Sequence, residues 1–489
     1  MVTPVAKRPI TRRNNVESTA KRSLRATCRL VDHILPHARQ KGWLRSTKGK
    51  TFLYNPSASS GTGTVRERAE AVSGSNWEAS LLEESLSRRA RAVGPAYWGA
   101  GASATPPPVP PIALTGGIPD PDSLPIDELT EVSRRVLARE GRLALQYGGP
   151  QGFLGLREWV AGRLSALDGV PLGPENVAVT NGSAGALANV CETLLDEGDA
   201  VLIEAPTYPG AVRVMRALGA RPVPVPLDGE GIRPDALEET LADLGKQRLR
   251  AKLLYTIPNF HNPSGVTASG QRRRQVLELT RRHGVWIVED DAYGDIRLHG
   301  EPVPSYFALA GGQGVFRVGT FSKTLATGLR VGWVAAGPAT VDALVRLRFD
   351  MGTTPWLQRV VTEYAASGLL NRHLPRVLDI YRRKRDLMLG DLARHCASFA
   401  RWEVPSGGFF LWLRLDPRLD ATALAEAAAQ EGVASVPGDA FFPAGGAEDG
   451  TGRGFIRLAY SFVAEADIPE AIARLGRAMA RALEASGAK

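Results

Sequence analysis

Gly319–Gly332 reads GTFSKTLATGLRVG and sits between two short apolar runs, Val315–Val318 (VFRV) and Gly332–Ala336 (GWVAA). Lys323 therefore follows a strand closely, with Thr320 and Ser322 beside it and Arg330 seven residues further on. A lysine after a strand is most often a solvated loop residue. Two hydroxyls and a guanidinium around it suit a dianion such as a phosphate. An amine drawn partly out of water is neutral often enough to attack a carbonyl carbon. Reactive groups at the end of a strand belong to open α/β sheets, whose ligands collect at the carboxyl ends of the strands.

The neighbouring sequence repeats that plan. Val177–Thr180 (VAVT), Val201–Ala205 (VLIEA), Lys252–Ile257 (KLLYTI) and Val285–Glu289 (VWIVE) alternate with helical stretches. The expected fold class is α/β: a mainly parallel sheet in a large domain, with helices on both faces. From about residue 370 the pattern changes to a helix-rich stretch, strands at Phe410–Leu415 and Phe455–Tyr460, and a closing helix near Ile468–Leu483, which reads as a smaller α+β domain. The organisation read from the sequence is an N-terminal extension at 1–76, an arm at 77–120, the large domain at 121–369 and the small domain at 370–489. Asn76–Val93 reads as one amphipathic helix, and Ala102–Ile112, with its PPPVPP run, as an extended linker.

Charge is distributed unevenly. The 489 residues carry a net charge of +9, but residues 1–50 hold 13 Lys/Arg against 2 Asp/Glu, so the other 439 carry −2. The body is nearly neutral and offers no broad basic surface for nucleic acid. The basic N-terminus reads as a disordered extension, with a targeting peptide or a DNA-binding head as the other options. Three scattered cysteines argue against a disulfide framework or a zinc site and fit a reducing, cytoplasmic setting. No apolar run is long enough to span a bilayer.

Three further motifs carry chemistry. In Glu289–Tyr293 (EDDAY) a carboxylate at a strand end could merely cap a turn, and in Pro258–Gly265 (PNFHNPSG) the bland reading is an Asn/Pro/Gly turn. Thr180–Ala186 (TNGSAGA) joins a strand to a helix, where exposed N–H groups favour an anion. It lacks the lysine of a P-loop and the first glycine of a GxSxG elbow. Taken with Lys323, these motifs suit pyridoxal phosphate. Lys323 would carry its aldehyde as a Schiff base. Asp290 would pair with the pyridine nitrogen and keep it protonated. Tyr293 and Asn262 would meet the ring oxygen. Gly182, Ser183 and Ala184, with Thr320, Ser322 and Arg330, would hold the phosphate. No metal is expected.

In this order the motifs resemble a fold-type I pyridoxal-phosphate-dependent aminotransferase of class I/II. The similar branch contains the 2-aminoadipate and kynurenine aminotransferases and the aminotransferase domain of MocR-type regulators. The resemblance runs from about Trp77 to the C-terminus and implies further roles. Gly117 in LTGGIPDPDSLP resembles the loop over the substrate carboxylate, and Arg457 in FIRLAYS the arginine that takes that carboxylate. Tyr208 in EAPTYPG resembles the aromatic stacked on the cofactor ring. Tyr147 in QYGGPQGFLGLR resembles a tyrosine that reaches the phosphate across a homodimer interface. The implied activity moves an amino group from an α-amino acid to a 2-oxo acid, with neither nucleic acid nor membrane as partner. There are departures. VGPAYWGAGASATPPP lacks the arginine that often touches the substrate side chain, Thr327 replaces a usual proline, and Ala184–Gly185 replaces a glutamine pair. Two other readings therefore stay open: an amino-acid oxidase or monooxygenase–decarboxylase of natural-product biosynthesis using the same cofactor, and a transcription regulator. Residues 1–76 lack the helix-turn-helix pattern that the regulator needs.

Overall fold

The computed structural model describes residues 46–47, 50–51, 77–93, 111–442 and 450–487. Most of the basic extension and of the proline-rich linker lies outside the described residues. The chain divides into two units between Ser85 and Leu86. The first contains the short strands β1 (Ser46–Thr47) and β2 (Lys50–Thr51) and the helix Trp77–Ser85. The single helix expected over Asn76–Val93 is instead two, because Arg88–Val93 is a separate helix opening the second unit. Ser87 starts it by accepting the Ala90 N–H at its hydroxyl, at 3.2 Å, the work of a helix cap.

After β3 (Ile112–Ala113), the second unit builds its main sheet from β4 (Val177–Asn181), β5 (Ala200–Ala205), β6 (Arg221–Asp228), β7 (Gly231–Ile232), β8 (Ala251–Thr256), β9 (Trp286–Asp290), β10 (Val315–Thr320) and β11 (Val331–Ala335). Their order is β4–β11–β10–β9–β8–β5–β6–β7. The run from β10 through β9, β8 and β5 to β6 is parallel. Both faces are covered. Val201, Ile203, Leu253, Tyr255, Val288 and Phe316 point into one core, and Leu202, Leu254, Ile287 and Val315 into another, as side chains alternating along two-sided strands must.

Two features differ from the sequence reading. β6 was missed because Pro222, Pro224 and Pro226 disguise it. N–H groups alternate in direction along a strand, so prolines spaced by two can all face away from the pairing side. β6 pairs with β5 along Arg221–Pro226, and among the described residues its other side meets only β7, at Leu227 and Asp228. The second feature is β11, which runs antiparallel to both β10 and β4. Only residues 321–330 separate β10 from β11, too few for a parallel crossover. The chain must double back, and so returns Arg330 and Gly332 to the start of the helix Gly182–Leu194.

The last third forms an antiparallel sheet in the order β12–β13–β16–β15, from β12 (Ala400–Trp402), β13 (Phe410–Leu415), β15 (Val436–Pro437) and β16 (Phe455–Ala459). β14 (Val433–Ala434) pairs with β3. The helices Leu369–His395 and Ile468–Gly487 pack on one another, and their buried residues join the same core as one face of the main sheet.

Gly332 marks a close approach of main chain to main chain. A Cβ there would lie 2.7 Å from Gly182 Cα and 2.8 Å from Ser183 N, main-chain atoms that cannot swing aside. Gly332→Ala should destabilise the protein by about 1–3 kcal/mol. A lower urea midpoint at unchanged m-value would register this, and an unchanged midpoint would show that β11 tolerates displacement.

Candidate functional site

The carboxyl ends of β4, β8, β9 and β10 deliver the polar groups. Lys323 lies three residues past β10, half-buried, and its Nζ donates to Gly117 O at 2.7 Å. The amine stands 5.7 Å from the Tyr293 ring and 5.9 Å from that of Phe409. Burial lowers its pKa to about 8. The positive charges of Arg457 and Arg330 add to this, and Asp290 opposes it.

Asp290 ends β9, and alternation along the strand turns it away from Glu289. Glu289 faces the other core, where it accepts the N–H groups of Tyr306 and Phe307. Tyr255 donates its phenolic hydroxyl to Asp290 Oδ2 at 2.8 Å, while Asp290 Oδ1 is buried with no hydrogen-bond partner. Buried acceptors are normally satisfied, so Oδ1 marks a place for a donor. Burial raises the Asp290 pKa to about 6, with the Tyr255 hydrogen bond working against it.

Tyr293 is buried edge-on to Phe409 and Phe410, and burial pushes its hydroxyl pKa upward. Asn262 accepts a hydrogen bond from Arg457 Nη1 at 2.8 Å through its Oδ1, which leaves its amide N–H groups as donors. Arg457, on β16, is buried. Its Nη2 donates to Thr115 O at 2.8 Å, and its guanidinium lies 4.3 Å from the Phe410 ring and 4.8 Å from that of Phe441. Phe410 also presses on the Gly117 loop, since a Cβ at Gly117 would come within 2.6 Å of its Cζ.

At the other end of the site, the helix Gly182–Leu194 begins without a side-chain cap. Gly182 has φ +70°, and a Cβ there would meet Arg330 Nη2 at 2.8 Å. Arg330 Nη2 donates to Asn181 O at 3.3 Å. Thr320 Oγ1 donates to Ser322 Oγ at 2.9 Å and accepts from Ser322 N. The helix start with Ser183 and Ala184, the two hydroxyls and Arg330 can receive a phosphate. Tyr208 lies half-buried across Gly210 and influences the titration of both Tyr255 and Tyr293. Tyr147 is 88% exposed, and Ala184 and Arg330 also reach the surface of the chain.

Several site residues were not foreseen. Glu204, fully inside, accepts from Thr256 Oγ1 at 2.6 Å and from Ile257 N at 2.8 Å, and its carboxylate lies 3.1 Å from His261 Nε2. It thereby fastens the loop that carries Asn262. Lys384 pairs with the Asp120 carboxylate and donates to Ser461 O at 3.2 Å and Val463 O at 2.6 Å. Glu204 did leave a signal, a lone carboxylate inside VLIEA; Tyr255 left none, being an ordinary aromatic in an apolar run. Among the described residues there is no cluster that could hold a metal ion, and no helix is long and apolar enough to cross a membrane.

Residues 111–475 match the family model for aminotransferase class I and II. The chain is 36% identical over 370 residues to an aromatic-amino-acid aminotransferase of Thermococcus litoralis, covering 74% of this chain and 87% of that one. It is 38% identical over 373 residues to a 2-aminoadipate transaminase of Thermus thermophilus, covering 75% and 90%. Among solved structures it is similar to the α-aminoadipate aminotransferase LysN of Thermus thermophilus, complexed with N-(5'-phosphopyridoxyl)-L-leucine. The TM-score is 0.74 at 35% identity, over 82% of this chain and 99% of that one.

The lowered Lys323 pKa is directly measurable. In ligand-free protein an amine-selective reagent should label Lys323 with a half-maximal rate at about pH 8. Lys246, whose pKa the Asp243 hydrogen bond raises, should lag behind it. Peptide mass spectrometry across pH reads both sites. A Lys323 midpoint no lower than that of Lys246 would contradict the burial argument.

Proposed function

The chain belongs to the class I and II aminotransferases, and from that membership we propose how its own residues carry out pyridoxal-phosphate-dependent amino-group transfer. The observation that carries the residue assignment is a pair of opposites that feel each other's charge: a buried aspartate oxygen lacking a donor, and a lysine whose pKa falls to about 8. These groups fit the cofactor. Asp290 Oδ1 has room for a ring N–H, and the side-chain-free approach of Gly332 to Gly182 leaves the helix start clear for a phosphate.

When bound, pyridoxal phosphate supplies an aldehyde and a ring that draws electrons from the substrate Cα. Lys323 Nζ would hold the cofactor, and its free amine would move a proton at the substrate Cα, a role suited to a pKa of about 8. Asp290, with a pKa of about 6, is largely ionised at neutral pH and keeps a proton on the ring nitrogen. Tyr293 and Asn262 donate to the ring oxygen, and Tyr208 stacks on the ring. Gly182, Ser183, Ala184, Thr320, Ser322 and Arg330 hold the phosphate. Arg457 exchanges its carbonyl partner at Thr115 for the substrate carboxylate, beside Gly117. A 2-oxo acid accepts the amino group.

A homodimer belongs to the same reading. Tyr147, Leu145 and Leu143 are 88%, 68% and 64% exposed, and Phe349 is 86% exposed. Their loops adjoin the phosphate end: Asn181 Nδ2 donates to Asp350 at 3.4 Å, and a Cβ at Gly352 would touch Gly149 O. A second copy laid over these apolar groups would carry its Tyr147 toward this phosphate site. The buried free thiols Cys191 and Cys396 suit a cytoplasmic setting.

Lys323→Ala should abolish the visible band of the lysine-bound cofactor and cut turnover by about 10²–10⁴-fold; normal turnover by this variant would refute the role. Arg457→Lys should raise the amino-acid KM at least about tenfold, since one bidentate contact is lost. The assay is 2-oxo acid formation across a panel of amino acids, with oxygen uptake followed in parallel. Oxygen consumption without a 2-oxo acid acceptor would favour the oxidase reading instead.

A further inference from the structure

We propose that Tyr255 is a positioning residue for Asp290: its hydroxyl fixes which carboxylate oxygen faces the cofactor's ring nitrogen and holds that carboxylate ionised. The inference rests on the reading of Asp290 given above.

Tyr255 is the penultimate residue of β8, and Asp290 the last of β9. The strands pair in parallel, with Tyr255 opposite Val288, so two positions further on Asp290 emerges on the same face as Tyr255. Tyr255 is completely buried, and its hydroxyl donates to Oδ2 at 2.8 Å. An ionised carboxylate can only accept, so this bond favours the charged form. With Oδ2 occupied, Oδ1 is the atom left without a partner.

Among the groups that favour the charged carboxylate, Tyr255 acts most strongly, ahead of Lys323 and the Ala292 main-chain N–H. Asp291, next along the chain, raises the Asp290 pKa, and Lys323, from the loop after β10, lowers it. Burial raises the Tyr255 pKa well above the ordinary phenol value, and Asp290, Tyr208 and Glu204 add to this. Tyr255 therefore stays protonated, and a donor, throughout the working range. Against the burial that lifts Asp290 to about 6, the Tyr255 hydrogen bond is the strongest opposing influence. Lys323 cannot take over: once its amine is engaged with the cofactor or moving a proton, its charge varies through the cycle.

The consequence concerns proton location. Without the phenol, the Asp290 carboxyl holds its own proton more tightly, and the proton shared with the ring nitrogen moves toward the carboxyl. The electron-drawing power of the ring falls while the pocket keeps its shape, because Tyr255→Phe removes one oxygen.

The test uses wild type, Tyr255→Phe, Asp290→Asn and the buried control Tyr306→Phe, each loaded with pyridoxal phosphate labelled with ¹⁵N in the ring. Solid-state NMR at pH 7.5 reads the protonation of that nitrogen. Wild type and Tyr306→Phe should give the protonated resonance, and Asp290→Asn the unprotonated one. In Tyr255→Phe the proton equilibrium should shift about tenfold toward the carboxyl, one pH unit's worth. As a cofactor-free readout, the Asp290 side-chain carboxyl, labelled with ¹³C, should titrate about one unit higher in Tyr255→Phe than in wild type. If Asp290→Asn shifts the ring nitrogen while Tyr255→Phe matches wild type in both measurements, the Tyr255 proposal falls and the Asp290 assignment stands. If Asp290→Asn leaves the ring nitrogen protonated, both fall.

Discussion

Burial of the parallel strands on both faces is the constraint from which the site follows. Such strands can present polar chemistry only where they end, and the ends of β8, β9 and β10 bring Tyr255, Asp290 and Lys323 together. Desolvation then acts on opposite charges in opposite senses. It lifts the aspartate to about 6 and lowers the lysine to about 8. Their mutual attraction opposes both movements, so neither group goes so far as to be neutral outright. The outcome is a carboxylate largely charged near neutral pH and an amine whose charge is easily withdrawn. Proton transfer at a carbon acid needs that combination.

A second constraint is the antiparallel return of β11. Its short connection from β10 folds the lysine loop against the start of the helix Gly182–Leu194, and three residues make the approach feasible. Gly332 lets main chain meet main chain, Gly182 leaves space for the Arg330 guanidinium, and Arg330 itself adopts a left-handed φ of 52°. A parallel crossover would have placed the arginine at the opposite end of the sheet. One topological choice, forced by loop length, thus brings Lys323 and Arg330 to the same side as the start of the helix Gly182–Leu194.

The sequence exposed the groups whose roles are marked by local punctuation. Lys323, Asp290, Asn262 and Gly182 sit where a β-branched run stops and small or turn-forming residues begin, and that boundary is visible in a linear pattern. Arg457, Tyr208, Gly117 and Tyr147 were reached through family resemblance, since a strand arginine or a core tyrosine looks unremarkable alone. The partners that align these groups were hidden. Tyr255 meets Asp290 across 35 positions, Glu204 meets His261 across 57, and Asp120 meets Lys384 across 264; nothing local announces such a contact. The direction of β11 could have been inferred from its short connection, and β6 from prolines spaced to suit one face of an edge. The break at Ser87 shows a cap overriding a weak helical pattern.

The Asp120–Lys384 pair explains how the loop carrying Gly117 keeps its register with β16. A buried ion pair is poor at adding stability, because desolvation offsets much of the attraction. Its effect here is geometric. Lys384 projects from the helix Leu369–His395 and binds three acceptors, one on the loop carrying Gly117 and two on the segment that follows β16. Ser461 adds a hydrogen bond to Ile118 O at 2.8 Å. Loop and strand are therefore registered through one ammonium group, and the carbonyl of Thr115 is held where Arg457 can use it. The same loop offers Gly117 O to Lys323. The loop thus has two restraints of different kinds, one on Lys323 and one on Lys384, and loss of the first leaves the second in place.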